Sequence, residues 1–264
     1  MYVSRLTRRI LGVLSAAVVA FLFLPIGYVA LLAFNSSKSL IFSGFSLRWW
    51  RFAFTDDAVS SEILAALWGS VKTAALATVL ALILGTLASL AIHRFNFFGR
   101  QTVSFFVVLP IALPGIVTGI ALNSAFRNVL GIRLGFLTLV VSHATFCIVV
   151  VFNNVLARLR RLPGNLEEAS SDLGADTFQT FRYVTFPLLR SALFAGGLLA
   201  FALSFDEIVV TTFTSGAGFK TLPQFILNNY SRPNNAPVVN VVALSVMVMS
   251  IVPAAIAQRI AGSD

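Results

Sequence analysis

Long apolar stretches at about 10–34, 66–92, 102–122, 135–156, 188–213 and 238–258 alternate along the chain with segments that hold nearly all of its charge. An α-helix needs roughly 20 consecutive apolar residues to cross a hydrocarbon core about 30 Å thick, and these stretches have that length. Runs such as Leu76–Ala91 lack the two-residue alternation of a transmembrane β-strand. The pattern predicts an all-α membrane protein: one transmembrane domain over 1–264 with six membrane-spanning helices. Arg5, Arg8 and Arg9 precede the first stretch in the order of a secretion signal. A cleaved signal has an apolar region of about 7–15 residues, so the longer run here is expected to stay as the first span.

Composition supports this reading and removes others. Of 264 residues, 58% are hydrophobic and 11% charged, more apolar surface than a water-soluble core could bury. The net charge of +9 sits between apolar runs, not on one soluble face, so it reads as a topology signal and no nucleic-acid partner is expected. Placing the amino terminus in the cytoplasm puts Arg5, Arg8, Arg9, Arg94, Arg100, Arg158, Arg160, Arg161, Arg182, Arg190 and Arg259 inside. Lys38, Arg48, Arg51, Arg127, Arg133, Lys220 and Arg232 then lie outside, a distribution that satisfies the positive-inside rule. Cys147 is the single cysteine, which excludes a disulfide framework and a thiolate metal cluster.

Two interruptions stand out. Phe45–Phe52, after the first span, mixes aromatics with Arg48 and Arg51 and predicts a short helix on the outer membrane surface. The third span carries Pro110, Pro114, Gly115 and Gly119; this predicts a bend that either lines a pathway or relieves packing.

The cytoplasmic connection between the fourth and fifth spans, 158–187, is too long and polar for a simple turn. Leu162-Pro163-Gly164 ends the preceding span, and Asn165 is a candidate cap,. Glu167 and Glu168 fall in the first turn of a short helix, where carboxylates favour the positive end of the helix dipole, and Gly174 stands where it would stop,. Phe178, Phe181, Tyr183 and Phe186 are expected to anchor this helix beneath the bundle.

Glu168-Ala169-Ser170, then Gly174 after three intervening residues, then Val184-Thr185-Phe186-Pro187 after nine more, resembles the EAA motif of permease subunits of binding-protein-dependent ABC importers. Ser170, Val184 and Phe186 depart from the motif by small or shape-preserving changes. The resemblance extends from about Ser70 through Leu109-Pro110 and Leu113–Gly119 to the end of the sixth span. It implies the type I importer fold in a bacterial plasma membrane, with the short helix as a coupling helix that enters a cleft of a separate ATPase. Glu167, Glu168, Ala169, Gly174 and Pro187 are then the coupling residues. It further implies a second permease, usually a different chain, an ATPase dimer that binds ATP and Mg, and an extracytoplasmic solute-binding protein. This chain would itself hold no cofactor.

Asp206 and Glu207 lie within the fifth apolar stretch, and charges inside spans are costly enough to require a role. Adjacent helical residues point about 100° apart, so one acid is expected on the pathway while the other pairs or caps. With Phe201, Phe205 and Phe213 nearby, a carboxylate suits a cation that also carries methylene groups,. Ser204–Val210, continuing to Thr221-Leu222-Pro223, resembles the spermidine/putrescine class of these permeases and implies polyamine import. Opines, aminoethylphosphonate and iron are the alternatives within the related permeases, and gating or pairing with the partner permease is the alternative role for the acids. An enzyme is not expected: His93 and His143 stand apart, and neither a zinc-binding His-Glu-x-x-His nor a phosphate-binding loop occurs,. A channel or proton-coupled carrier is the remaining rival, and it would need no docking loop.

Overall fold

The computed structural model describes residues 4–230, 232 and 236–261, with side chains as far as 251. Among the described residues there is no β-strand, only an isolated antiparallel bridge between Asn35 and Phe45. The helices in chain order are α1 (Arg5–Leu32), α2 (Arg48–Thr55), α3 (Asp57–Arg94), α4 (Arg100–Ala112), α5 (Gly115–Ser124) and α6 (Phe136–Leu159). There follow α7 (Leu166–Asp172), α8 (Thr177–Thr180), α9 (Phe186–Asp206), α10 (Val209–Thr214), α11 (Leu222–Tyr230) and α12 (Ala236–Ala261). Two π-helical turns, Ala125–Val129 and Phe181–Thr185, extend α5 and join α8 to α9.

Among the described residues, four helical runs are long and apolar enough to cross a membrane: Arg5–Leu32, Asp57–Arg94, Phe136–Leu159 and Thr177–Asp206. The expected third span is not straight. Leu113, extended at ψ 143° because it precedes Pro114, ends α4, and the axis turns by 108° into α5,. The pair counts as a fifth crossing when both halves are taken together. α12 has the length of a sixth, although Arg259, placed inside by the charge pattern, lies where only backbone is described. The second span is a helix of 38 residues, about 57 Å at about 1.5 Å per residue, so it projects well beyond the hydrocarbon. The fifth ends at Asp206 instead of near 213.

The chain packs as two compact units, Met1–Leu64 with Ile226–Ile260, and Ala65–Phe225. In the first, α1 beyond Arg9 is apolar all round yet buries only Leu32, the signature of a lipid-facing helix. Asn35, 1% exposed, organises the following loop: its amide donates to the carbonyls of Ser39 and Ile41 at 2.9 and 3.0 Å and accepts from Ser43 N at 2.8 Å. Helix α2 follows that loop, where the aromatic and cationic run predicted one. It buries Trp49 and Ala53, and Phe34 stacks between Phe45 and Trp50 at 5.1 and 5.4 Å.

In the second unit α6 is central. Its Cys147, Val151, Val155 and Leu159 recur every four residues and pack with Ala81 of α3, Leu189 and Ala200 of α9 and Val210 of α10. α3 can approach because its facing positions are small. A Cβ on Gly85 would meet Ile148 O and Val151 Cβ at 3.0 Å, and Ser89 Oγ donates to Phe152 O at 3.0 Å. Small residues and hydroxyl hydrogen bonds are the usual means of joining helices where lipid is the solvent.

Candidate functional site

Two polar assemblies emerge in the second unit, one at the 158–187 connection and one inside the apolar bundle. In the connection, Asn165 occupies the N-cap position of α7, but its side chain makes no cap hydrogen bond. Seven residues give about two turns, with Glu167 and Glu168 in the first. The helix closes on Gly174, whose φ of +85° is left-handed. Gly174 N donates to Ser171 O at 2.9 Å and Ala175 N to Ser170 O at 3.1 Å, a Schellman closure that favours glycine because it has no Cβ.

The neighbouring acids point different ways. Glu167 forms an ion pair with Arg94; the same Glu167 oxygen accepts from Thr185 Oγ1 at 2.8 Å, and Arg94 Nη2 also donates to Thr185 Oγ1 at 3.2 Å. Glu168 and Ala169 are exposed, as is Pro187 in the first turn of α9. A hydroxyl contact of 3.0 Å between Ser170 and Thr180 joins α7 to α8. Asp176 and Gln179 form a capping box at the start of α8, at 2.8 and 3.0 Å,. Arg158 Nε donates to Leu188 O at 3.0 Å, tying the end of α6 to α9.

The expected aromatic anchor does not form. Phe178, Tyr183 and Phe186 are exposed and only Phe181 turns back, its ring 6.2 Å from Phe186. The side-chain bonds just described hold α7 instead. Leu173 is 89% exposed, so the outer face of the connection is apolar as well as acidic.

The second assembly forms where the fifth span breaks. Glu207 is extended at ψ 116°, and its carboxylate caps the next half-helix, accepting from Val210 N at 2.8 Å. That bond satisfies a donor which lipid could not, so the break is tolerated within an apolar surrounding. His143 of α6 bridges the gap: Nδ1 lies 2.7 Å from Ser204 Oγ on α9 and Nε2 lies 2.8 Å from Thr211 Oγ1 on α10. Since the Thr211 hydroxyl donates to Glu207 O at 2.6 Å, it accepts from Nε2–H, and Nδ1 accepts from Ser204.

The far end of α10 is held equally closely. Asn123 Nδ2 donates to Phe213 O at 2.5 Å and Thr138 Oγ1 to Thr214 O at 3.0 Å. The Phe213 ring packs on α5, where a Cβ at Gly119 would come within 2.7 Å of it, so Phe213 is set apart from the other two aromatics. Phe201 and Phe205 stack at 6.0 Å on α9. Asp206 is exposed at the last position of that helix. Among the described residues its carboxylate has no hydrogen bond or ion pair, and no cap bond closes the α9 carboxyl end.

Several of these residues carry no mark in the sequence. Arg94 reads there as one topology charge among many, and His143 stands alone because Ser204 and Thr211 lie 61 and 68 positions away. The hydroxyls of Ser204 and Thr211, next to two acids in an apolar stretch, were the available signal.

Comparison with known proteins bears on what this arrangement does. Residues 81–262 match the profile of the family described as "Binding-protein-dependent transport system inner membrane component". The putrescine transport system permease protein PotI of Escherichia coli K12 is 35% identical over 234 residues, covering 86% of this chain and 82% of that protein. The spermidine/putrescine transport system permease protein PotC of the same organism is 34% identical over 262 residues, covering 98% and 95%. In fold, the chain matches a crystal structure of a bacterial ABC transporter involved in import of the acidic polysaccharide alginate. The TM-score is 0.69 at 17% identity, with 100% of this chain and 99% of that one covered.

Proposed function

This chain belongs to the family of binding-protein-dependent transport system inner membrane components and is a permease subunit of an ABC importer, and from that premise we propose that it carries a polyamine into the cytoplasm. The observation that carries this reading is the Asp206 carboxylate. Among the described residues it stands unpaired, at the negative, uncapped end of α9, one residue beyond the Phe201–Phe205 stack. A helix carboxyl end and a carboxylate together favour a cation, and the aromatic faces suit an alkylammonium chain. Relatives named for putrescine and spermidine/putrescine agree with that chemistry.

Energy enters at the other assembly. In this reading the outward face of α7, with Glu168, Ala169 and Leu173, seats in an ATPase subunit that binds ATP and Mg. Gly174 and Pro187 delimit the docking segment, and Glu167 holds it to the bundle. The connection faces the cytoplasm, as does the amino terminus. A second permease, an ATPase dimer and an extracytoplasmic binding protein complete the importer.

Uptake by the assembled transporter in proteoliposomes tests the substrate. Labelled putrescine or spermidine should accumulate in an ATP-dependent manner, and Asp206→Asn should lower that uptake about tenfold, the order expected when a charge-assisted contact of about 1.5–3 kcal/mol is lost. Uptake of an anionic solute with neither polyamine transported rejects the reading, as does a fully active Asp206→Asn.

A further inference from the structure

The two first-turn acids of α7 differ in what they touch, and the inner one leads to a helix distant in sequence. No residue of α7 is buried, and Pro163-Gly164 precedes it, so packing does not fix its position. Glu167 does more. Its Oε1 receives both Arg94, from the last turn of α3, and Thr185, from the π turn that leads into α9. Arg94 Nη2 also reaches Thr185 at 3.2 Å, so three elements converge on one carboxylate oxygen.

Burial is graded across this junction. Thr185 is 1% exposed, whereas the Arg94 and Glu167 side chains are 23% and 39% exposed. An ion pair this open to water adds little to folding stability. Its value is directional, since a guanidinium is planar, always charged and holds its partners in a fixed fork. Among the described residues Arg94 Nε is buried without a partner, and the residue lines a cavity of about 360 Å³ with Glu167, Gly164 and Val184.

We propose that Arg94 is a positioning residue of the importer: it holds α7 to the end of α3, so that displacement of α7 reaches the second span as well as the spans flanking it in sequence. This inference rests on the reading that α7 docks on the ATPase. α3 is the longest helix of the chain, at 38 residues, and Ala81, Gly85 and Ser89 press it against α6. A push at Arg94 is therefore applied to a rigid rod already packed on the centre of the bundle.

The test uses the complete transporter in nanodiscs, with Asp206→Cys on this chain as a reporter. Its labelling by a membrane-impermeant maleimide, followed by the mass of this chain, is compared in nucleotide-free and ATP–vanadate states. Arg94→Ala should shrink the nucleotide-dependent change at least fivefold while ATPase co-purification stays within twofold. Arg94→Glu and Glu167→Arg should each do the same, and the two combined should recover at least half of the change.

The proposal is overturned if Arg94→Ala keeps the change within twofold, or if the charge swap is no better than either single variant. It is equally overturned if Arg94→Ala releases the ATPase, because docking and not transmission would then be its role. The labelling is read without added solute, so failure to take up polyamine leaves its outcome unchanged. Failure of the docking reading shows itself separately, as absence of any cross-link from Glu168→Cys to the ATPase subunit or of any nucleotide-dependent change in the reporter alone.

Discussion

The 158–187 connection and the break in the fifth span both depart from regular helix, and they hold their polar groups in opposite ways. In the connection, half-exposed charged side chains reach across elements and the backbone closes locally through Gly174. In the break, the bridging is done by uncharged groups: an imidazole between two hydroxyls, an amide and a hydroxyl on carbonyls. There, charge is restricted to one capping acid and one exposed acid. The difference follows from the solvent. An ion pair beside water is cheap to form and cheap to lose, so it can direct motion. An unsatisfied group within lipid costs several kcal/mol, so the groups at the break that face the bundle are bonded, and only the exposed end of α9 with Asp206 is left open,.

That contrast predicts a ranking of effects. His143→Ala removes two buried hydrogen bonds, each worth about 0.6 kcal/mol between membrane helices. It also leaves a cavity like those costing about 3–5 kcal/mol in large-to-small core replacements. The purified transporter should lose roughly 4–6 kcal/mol of stability, read as an earlier thermal unfolding midpoint. A midpoint unchanged within error would mean that the break is held by backbone packing alone, and the comparison would fail at its stronger end.

Gly174→Ala should cost about 1–2 kcal/mol, the penalty for a Cβ in the left-handed region. The loss should be confined to α7, seen as faster amide exchange over 166–175 with the bundle unaffected; a global loss of protection would place the connection within the folding core. Asn165→Ala should change stability by less than about 0.5 kcal/mol, although a helix cap is commonly worth about 1 kcal/mol, because this side chain caps nothing,. A full cap-sized loss would show that the side chain bonds in solution and would soften the contrast in how the two regions are held.

Much of this was legible in the residues. The apolar runs announce a membrane bundle, and Glu168-Ala169-Ser170 with Gly174 marks a short helix between the fourth and fifth spans together with the place where it stops. Less visible was the direction of each acid. Glu167 and Glu168 are chemically alike and adjacent; Arg94, 73 positions upstream, and Thr185, 18 positions downstream, make one face inward. The fifth stretch also misled by its length, because Ile208–Phe213 is as apolar as what precedes it. The helix nevertheless stops at Asp206, since Glu207 does better capping Val210 N than continuing the turn.

The sequence by itself determined the solvent, the helical class and the family, because these depend on local composition and on spacings within a few dozen residues. Tertiary structure alone decided which polar groups meet. His143 finds Ser204 and Thr211, and Arg94 finds Glu167 and Thr185, only after distant helices have packed. Such pairing follows from how the helices settle on α6, α3 through Gly85 and Ser89 and α9 through Gly196, a matter of shape that no local pattern encodes.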